Sequence, residues 1–253
     1  MDLGIAGKVA LVMGASKGIG RGAAAALARE GARVAIASRS EESVESAASE
    51  LAAETGAEVR GLAADTDDVD ALPALVRSVQ DDLGAVEILV TNTGGPPIGD
   101  PLGFARSDWE AAYRNLVLAP IALIEAALPA MRERRWGRIV NVTSLTTREP
   151  MPGFMLSNSH RMAAVGAFKT LANELARDGI LFNSVAPGRI ATDRLAQGRP
   201  IEELLELPQD DVPVGRIGTV DEIGAAIAFL CSERASYICG VNLLVDGGLV
   251  RSV

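Results

Sequence analysis

The sequence predicts a doubly wound α/β fold: one domain, a parallel sheet of about seven strands, and helices on both faces. Two observations predict it. Short apolar runs rich in Val, Ile and Leu alternate with longer Ala-rich amphipathic runs, and a glycine-rich turn follows the first apolar run. Strands that are apolar on both faces and alternate with helices are typical of a parallel sheet that right-handed crossovers cover on both sides.

Each predicted strand is a short run of β-branched and other apolar residues. The strands are Lys8–Met13, Arg33–Ser38, Glu58–Ala63, Glu87–Thr91, Arg138–Thr143, Ile180–Ala186 and Asn242–Val245. The predicted helices are the longer amphipathic runs. They extend from the glycine turn to about Glu30, where Gly31 ends the helix, and over Glu41–Thr55, Val69–Leu83, Ser107–Arg134 with a bend near Pro120, and Phe154–Arg177. No linker, composition break or repeat divides residues 1–253, so we predict a single domain.

The least regular segment runs from Gly188 to Asp211 and is rich in Pro, Gly and charged residues. It follows the carboxyl end of the sixth predicted strand, and ligands bind at that edge of such sheets. A mobile substrate lid and a plain surface excursion are both consistent with this composition.

Composition and charge exclude several function classes. The net charge of -9 and the pI of about 4.8 oppose binding to nucleic acid or to anionic membranes. The most hydrophobic stretch, Leu116–Met131, contains two prolines and a glutamate and is shorter than a membrane span, so we interpret it as a buried helix. Cys231 and Cys239 lack metal-binding spacing and favour a reducing, cytoplasmic compartment, and the N-terminus has no signal-peptide pattern.

The glycine turn predicts a dinucleotide site. It reads Gly14-Ala15-Ser16-Lys17-Gly18-Ile19-Gly20 and joins a strand to a helix. Glycines there let the backbone approach a pyrophosphate, and the helix N-terminus offers free N–H groups and the positive end of its dipole. We expect cofactor contacts from Gly14, Ser16, Lys17, Gly18, Ile19 and Gly20.

The end of the second strand favours NADP(H) over NAD(H). An NAD site has Asp or Glu there to bind the ribose hydroxyls, whereas this chain has Ser38 and then Arg39. Together with Lys17, Arg39 suits the extra 2′-phosphate of NADP(H), because arginine binds phosphate bidentately. Alternatively, both cations are solvated surface residues.

Further motifs follow in a fixed order. Asn92-Thr93-Gly94-Gly95 follows the fourth strand, Ser144 follows the fifth, and Val245-Asp246-Gly247-Gly248 lies near the end. With the glycine turn, this order resembles the short-chain dehydrogenase/reductase family, particularly its 3-oxoacyl-carrier-protein reductase-like members, over nearly the whole chain. The resemblance implies a Rossmann-type fold, catalytic roles for Asn115 and Ser144, and an adenine contact from Asp65. It also implies cofactor contacts from Asn92, Gly94, Pro187, Gly188, Ile190 and Thr192.

The family's YxxxK pair is replaced in this chain. Counting from Ser144, Ser157 stands for the catalytic Tyr and Arg161 for the Lys. A serine hydroxyl is a much weaker acid than a phenol, and arginine stays charged and cannot relay a proton by itself. Arg161 can still bind the nicotinamide ribose or, alternatively, clamp an anionic substrate group.

His160, the only histidine, is one candidate for the missing proton donor. A water held by Ser144 and Ser157 is another. Alternatively, His160 is a helix-packing or subunit-interface residue. Residues 157, 160 and 161 share one broad face of the predicted helix.

Three functions remain open. The first is an NADP(H)-dependent oxidoreductase acting on a small carbonyl or alcohol substrate, with an altered proton donor. The second is a catalytically impaired dinucleotide-binding sensor or scaffold protein. The third is different chemistry in the same pocket, such as dehydration. The resemblance also implies a homo-oligomer, either a tetramer or a dimer.

Overall fold

Seven parallel strands form one sheet within residues 1–252, which the computed structural model describes. They are β1 (Val9–Met13), β2 (Arg33–Ser38), β3 (Val59–Ala63), β4 (Ile88–Thr91), β5 (Gly137–Val142), β6 (Ile180–Pro187) and β7 (Asn242–Val245). Their order across the sheet is β3-β2-β1-β4-β5-β6-β7. The order reverses between β1 and β4, so a crevice forms at the carboxyl ends of these strands. The predicted doubly wound fold is confirmed.

Helices cover both faces of this sheet. They are α1 (Gly18–Arg29), α2 (Glu41–Thr55), α3 (Leu72–Leu83), α4 (Arg106–Tyr113), α5 (Ala119–Arg134), α6 (Met155–Leu175), α7 (Asp193–Ala196), α8 (Ile201–Glu206) and α9 (Val220–Leu230). Helices α1, α2 and α9 enclose one apolar core, and α3, α5 and α6 enclose another. Successive β1 residues alternate between them, with Ala10 and Val12 in the first core and Leu11 and Met13 in the second.

The helical run from Arg106 to Arg134 changes its winding in the middle. Residues Arg114–Leu118 form a π-helical turn, in which the N–H of Ala119 bonds to the Arg114 carbonyl. Pro120 explains the position of this turn, because it has no N–H to donate to the Leu116 carbonyl and its ring crowds that carbonyl. The predicted irregularity near Pro120 therefore occurs within the turn before it, and this turn carries Asn115.

The same run is long and apolar enough to cross a membrane by length and composition, with a mean hydropathy of 1.4. Here, however, Leu123, Ala127 and Met131 pack into the second core, beside α3 and β5. One face of the helix thus belongs to the interior of the domain, as predicted for Leu116–Met131.

Helix α9 was not predicted from the sequence. A capping box starts it: the N–H of Glu222 donates to Thr219 Oγ1 (3.2 Å), and the N–H of Thr219 donates to Glu222 Oε2 (2.9 Å). The Arg216 guanidinium, and then the Thr219 backbone, lower the pKa of Glu222 to about 2. The signal for the helix start was therefore present in the sequence. The helix was missed because Val220–Leu230 is apolar on most sides and so shows only a weak helical period.

Candidate functional site

A cleft of about 890 Å³ opens at the carboxyl edge of the sheet, over the reversal between β1 and β4. Ligand pockets in proteins commonly have volumes of this order. The glycine turn and the loops after β2, β3 and β4 line it. The predicted site residues on its wall are Gly14, Ser16, Lys17, Ser38, Arg39, Asp65, Asn92, Gly94 and Asn115. The cleft therefore brings together residues from five separate parts of the chain.

The glycine turn has the backbone form that a phosphate cradle needs. Gly14 and Gly18 have φ of +58° and +60°, in the left-handed region that favours glycine. A side chain on Gly20 would overlap the Gly14 carbonyl, so only glycine fits there. Helix α1 begins after Lys17 without any side-chain cap, which leaves its first N–H groups available to an anion.

The end of β2 presents an unsatisfied hydroxyl and a cation. Ser38 Oγ is buried and has no hydrogen-bond partner among residues 1–252. A buried hydroxyl without a hydrogen-bond partner is unfavourable, so a ligand in the cleft would supply the missing partner. Arg39 is exposed beside it, and Ser40 caps α2 by accepting from the N–H of Ser43. These residues, with the turn, fit the adenosine half of a dinucleotide.

Asn115 and Asp67 form a second polar pair on the wall of the cleft. Asn115 Nδ2 donates to Asp67 Oδ1 at 2.7 Å. Within the described residues, Asn115 Oδ1 is buried without a partner. Because Asp67 fixes the amide group, this oxygen is held as a free acceptor for a ligand or a water molecule.

Ser144 and Ser157 both contact Thr146, just beyond the carboxyl end of β5. The N–H of Thr146 donates to Ser144 Oγ (3.2 Å), and Thr146 Oγ1 lies 3.4 Å from Ser157 Oγ. Ser157 is buried and Ser144 half-buried. Thr146 thus contacts both serines, through its backbone N–H and its hydroxyl, and a joint catalytic role of Ser144 and Ser157 stays a prediction.

Arg161 lies one helical turn after Ser157 on α6. Its Nη1 donates to the carbonyl of Val142 at 2.8 Å. Burial, and then the nearby charge of Arg194, lower the pKa of Arg161 to about 10. The guanidinium therefore remains protonated at neutral pH and keeps a positive charge near the two serines.

His160 lies in an aromatic cluster between α6 and α4. Its ring centroid is 5.4 Å from that of Trp109 and 6.3 Å from that of Tyr113. Its Nδ1 is 2.8 Å from the Leu156 carbonyl and 3.1 Å from Ser159 Oγ. These contacts fit the packing alternative, and proton donation by His160 stays a prediction.

The segment 188–211 is tied to the cleft by ion pairs and hydrogen bonds. Lys17 Nζ lies 2.6 Å from Asp193 Oδ2. Arg194 donates to the carbonyls of Gly95 (2.9 Å) and Pro96 (3.0 Å). At the base of the segment, Arg189 and Asp211 form a bidentate pair with distances of 2.7 and 2.6 Å.

The remaining predicted cofactor residues lie where this segment begins. The N–H of Gly188, the residue after Pro187, donates to the Val245 carbonyl at 3.0 Å. Ile190 is buried, and Thr192 lies beside Gly18 of the glycine turn. The start of the segment thus lies next to the phosphate cradle.

Comparison with known proteins gives consistent results. The family model described as enoyl-(acyl carrier protein) reductase matches residues 14–250. The chain is 32% identical over 249 residues to the 3-oxoacyl-[acyl-carrier-protein] reductase of Aquifex aeolicus, covering 98% of this chain and 100% of that protein. It is 34% identical over 249 residues to gluconate 5-dehydrogenase of Gluconobacter oxydans, covering 98% and 97%.

A solved structure agrees along the whole length. The L-sorbose reductase of Gluconobacter frateurii, complexed with NADPH and L-sorbose, superposes with a TM-score of 0.92 at 31% identity, covering 100% of both chains.

The chain belongs to the short-chain dehydrogenase/reductase family.

Three polar residues of this short-chain dehydrogenase/reductase were not singled out from the sequence: Asp67, Thr146 and Arg194. Asp67 lies in an acidic run directly after β3, which is a signal that could have been used. Thr146 had no signal beyond its closeness to Ser144. Arg194 follows the Thr192-Asp193 pair, and its contacts with the loop after β4 depend on the tertiary fold.

Proposed function

We propose that this protein is an NADP(H)-dependent oxidoreductase that interconverts a carbonyl and an alcohol, in the manner of a 3-oxoacyl-thioester reductase, with an altered proton donor. One observation carries the proposal. A single cleft runs from Ser38 and Arg39, past the uncapped start of α1, to Asn92 and Asn115. A dinucleotide in this cleft would have its phosphates on the glycine turn and its nicotinamide towards the carboxyl ends of β4 and β5.

The preference for NADP(H) rests on the end of β2. The exposed Arg39 lies at the N-terminus of α2, and the cleft wall there also includes Ser40 and Ser43. A guanidinium and two hydroxyl-bearing residues suit a phosphate better than a ribose hydroxyl. That the structurally similar L-sorbose reductase was solved with NADPH supports the same choice.

The bound nicotinamide would supply or accept a hydride at the carbonyl carbon. The hydroxyls of Ser144 and Ser157 would hydrogen-bond the carbonyl oxygen and orient the carbonyl. The Arg161 charge would stabilise negative charge that develops on this oxygen. A proton must also reach the oxygen, from a water held by the two serines or from His160.

Loss of the catalytic phenol should slow the reaction only by the factor that general acid catalysis contributes. General acid catalysis contributes roughly 10²- to 10⁴-fold in rate, so a serine pair with water would leave a slow enzyme rather than an inactive one. A catalytically impaired sensor or scaffold is the second candidate, and the replacement of both YxxxK residues by Ser157 and Arg161 favours it.

We also propose a cytoplasmic homo-oligomer and a substrate lid over residues 188–211. Both cysteines are free thiols, as a reducing compartment allows. The lid rests on the Lys17–Asp193 pair and the Arg194 hydrogen bonds, which are exposed contacts that a ligand can replace.

Hydride transfer tests the proposal. Purified protein with NADPH is mixed with β-keto esters, quinones and aldehydes, and the absorbance of NADPH is followed. We expect slow oxidation with at least one substrate, and a gain of about 10²-fold or more when Ser157→Tyr and Arg161→Lys restore the pair. Ser144→Ala should reduce the rate both in the wild-type protein and in the Ser157→Tyr, Arg161→Lys double variant.

One result would contradict this function, and another would contradict only the expected slow rate. Tight NADPH binding without turnover on every substrate would favour the sensor or scaffold. An unchanged rate in the restored double variant would mean that the natural pocket already contains a full proton donor.

A further inference from the structure

Four cations come from the glycine turn, helix α6 and the segment 188–211, and only two of them have carboxylate partners. Lys17 pairs with Asp193 at 2.6 Å, and Arg189 pairs with Asp211 at 2.6 Å. Among residues 1–252, neither Arg161 nor Arg194 forms an ion pair; both donate to backbone carbonyls instead. Two guanidinium groups without a carboxylate partner therefore contact the backbone at the carboxyl ends of β4 and β5.

Arg161 and Arg194 lie at the carboxyl ends of two neighbouring strands, β5 and β4. Arg161 binds the carbonyl of Val142 at the end of β5, and Arg194, on the wall of the cleft, binds the loop that follows β4, the strand paired with β5. The charge of Arg194 also contributes to lowering the pKa of Arg161. The buried charge of Arg161 is unfavourable without a counter-ion, and the like charge of the exposed Arg194 adds repulsion. An anion between them would remove both penalties.

The position of Arg161 relative to the serines limits the distance between the anionic group and the carbonyl group of the ligand. Arg161 follows Ser157 by one helical turn and binds the carbonyl of Val142, two residues before Ser144. An anion on Arg161 would thus lie close to a carbonyl oxygen held by the two hydroxyls.

We propose that Arg161 and Arg194 form an anion subsite that binds the carboxylate of the substrate, and that short 2-oxo or 3-oxo acids are preferred over their neutral esters. This proposal rests on the proposed oxidoreductase function and narrows its substrate class. The planar fork of Arg161 matches the two oxygens of a carboxylate, which the point charge of a lysine does not. The diphosphate of the cofactor is the competing source of negative charge.

Calorimetric titration separates these sources. Acetoacetate and ethyl acetoacetate, which differ mainly in charge, are titrated into the free protein and into its complex with NADP⁺. The variants are Arg161→Lys, Arg161→Gln and Arg194→Gln. Arg199→Gln is the matched control, because Arg199 is an exposed arginine of the same segment. NADPH affinity and a melting curve are measured for each variant.

We expect the wild-type protein to bind acetoacetate more tightly than the ester. Arg161→Lys and Arg161→Gln should weaken acetoacetate binding by about tenfold or more, with ester and NADPH affinities within about twofold of wild type. Arg194→Gln should weaken acetoacetate binding less, because Arg194 is exposed. The Arg199 control should match wild type.

Equal affinity for acid and ester in the wild-type protein would overturn the proposal. So would a loss of NADPH affinity as large as the loss of acetoacetate affinity, since the anion would then belong to the cofactor. Failure of the wild-type protein to bind NADPH would defeat the oxidoreductase function instead, and the titrations of free protein would still compare acid with ester.

Discussion

At the scale of single residues, the proposed preference for NADP(H) depends on two neighbours at the end of β2. Ser38 has a buried, unpaired hydroxyl, and Arg39 is exposed and forms no ion pair within the described part of the chain. A 2′-phosphate would bind both, whereas a ribose hydroxyl would leave the Arg39 charge unused. A carboxylate at this position would instead repel the phosphate and bind the ribose hydroxyls.

Arg39→Asp should therefore reverse the proposed preference for NADPH over NADH. We expect NADPH to bind about tenfold or more weakly, and NADH to bind as well as before or better. Arg77→Asp, at an exposed arginine on α3, is the control for the change in net charge. Both dissociation constants are measured by fluorescence titration. Tighter NADH than NADPH binding in the wild-type protein would contradict the proposed preference.

At the scale of elements, close helix packing depends on small residues. The first turns of α1 and α9 approach so closely that a side chain on Gly22 would overlap the Val220 carbonyl, and one on Gly224 would overlap the Gly22 carbonyl. Because both obstacles are backbone atoms, neither can move without shifting a helix. The α1 N-terminus that this contact supports is the end that we propose binds the cofactor phosphates.

Gly224→Ala should consequently lower the free energy of unfolding by about 2 kcal/mol or more, through overpacking. Gly166→Ala is the matched control, since Gly166 lies within α6 with open space around it. That change should stabilise the protein by about 0.5–1 kcal/mol through helix propensity. Urea denaturation measures both. Similar stabilities for the two variants would refute the close packing of α1 and α9.

At the scale of the whole molecule, the cleft connects elements from nearly the entire chain. The glycine turn follows β1, Asn92 follows β4, and the segment 188–211 follows β6. A ligand that contacts all three binds the folded protein and not the unfolded chain. Its binding energy then adds directly to the stability of the fold.

NADPH at 100 times its dissociation constant should therefore raise the stability by about 2.7 kcal/mol. For a domain of this size, that corresponds to an increase in melting temperature of roughly 5–10 °C. Differential scanning fluorimetry measures it, with AMP as a control that occupies only the adenosine half and should give a smaller shift. No shift with any pyridine nucleotide would refute the dinucleotide site.

The sequence alone determined the strands, most of the helices and the glycine turn that lines the cleft. These features depend on local patterns: apolar runs predict strands, and the glycines around Gly14 and Gly20 predict a turn that only they can form. Helix α9 was missed because its apolar composition hides the helical period, although Thr219 and Glu222 marked its start.

Only the tertiary structure decided how the polar groups are partnered. Asp67 holds Asn115 from 48 residues away, and Arg194 reaches Gly95 across 99 residues. The sequence placed Ser157, His160 and Arg161 on one broad helical face, yet their neighbours differ: Thr146, an aromatic pair on α4, and the β5 backbone. Such contacts depend on which elements the sheet order brings together, and no local pattern encodes that order.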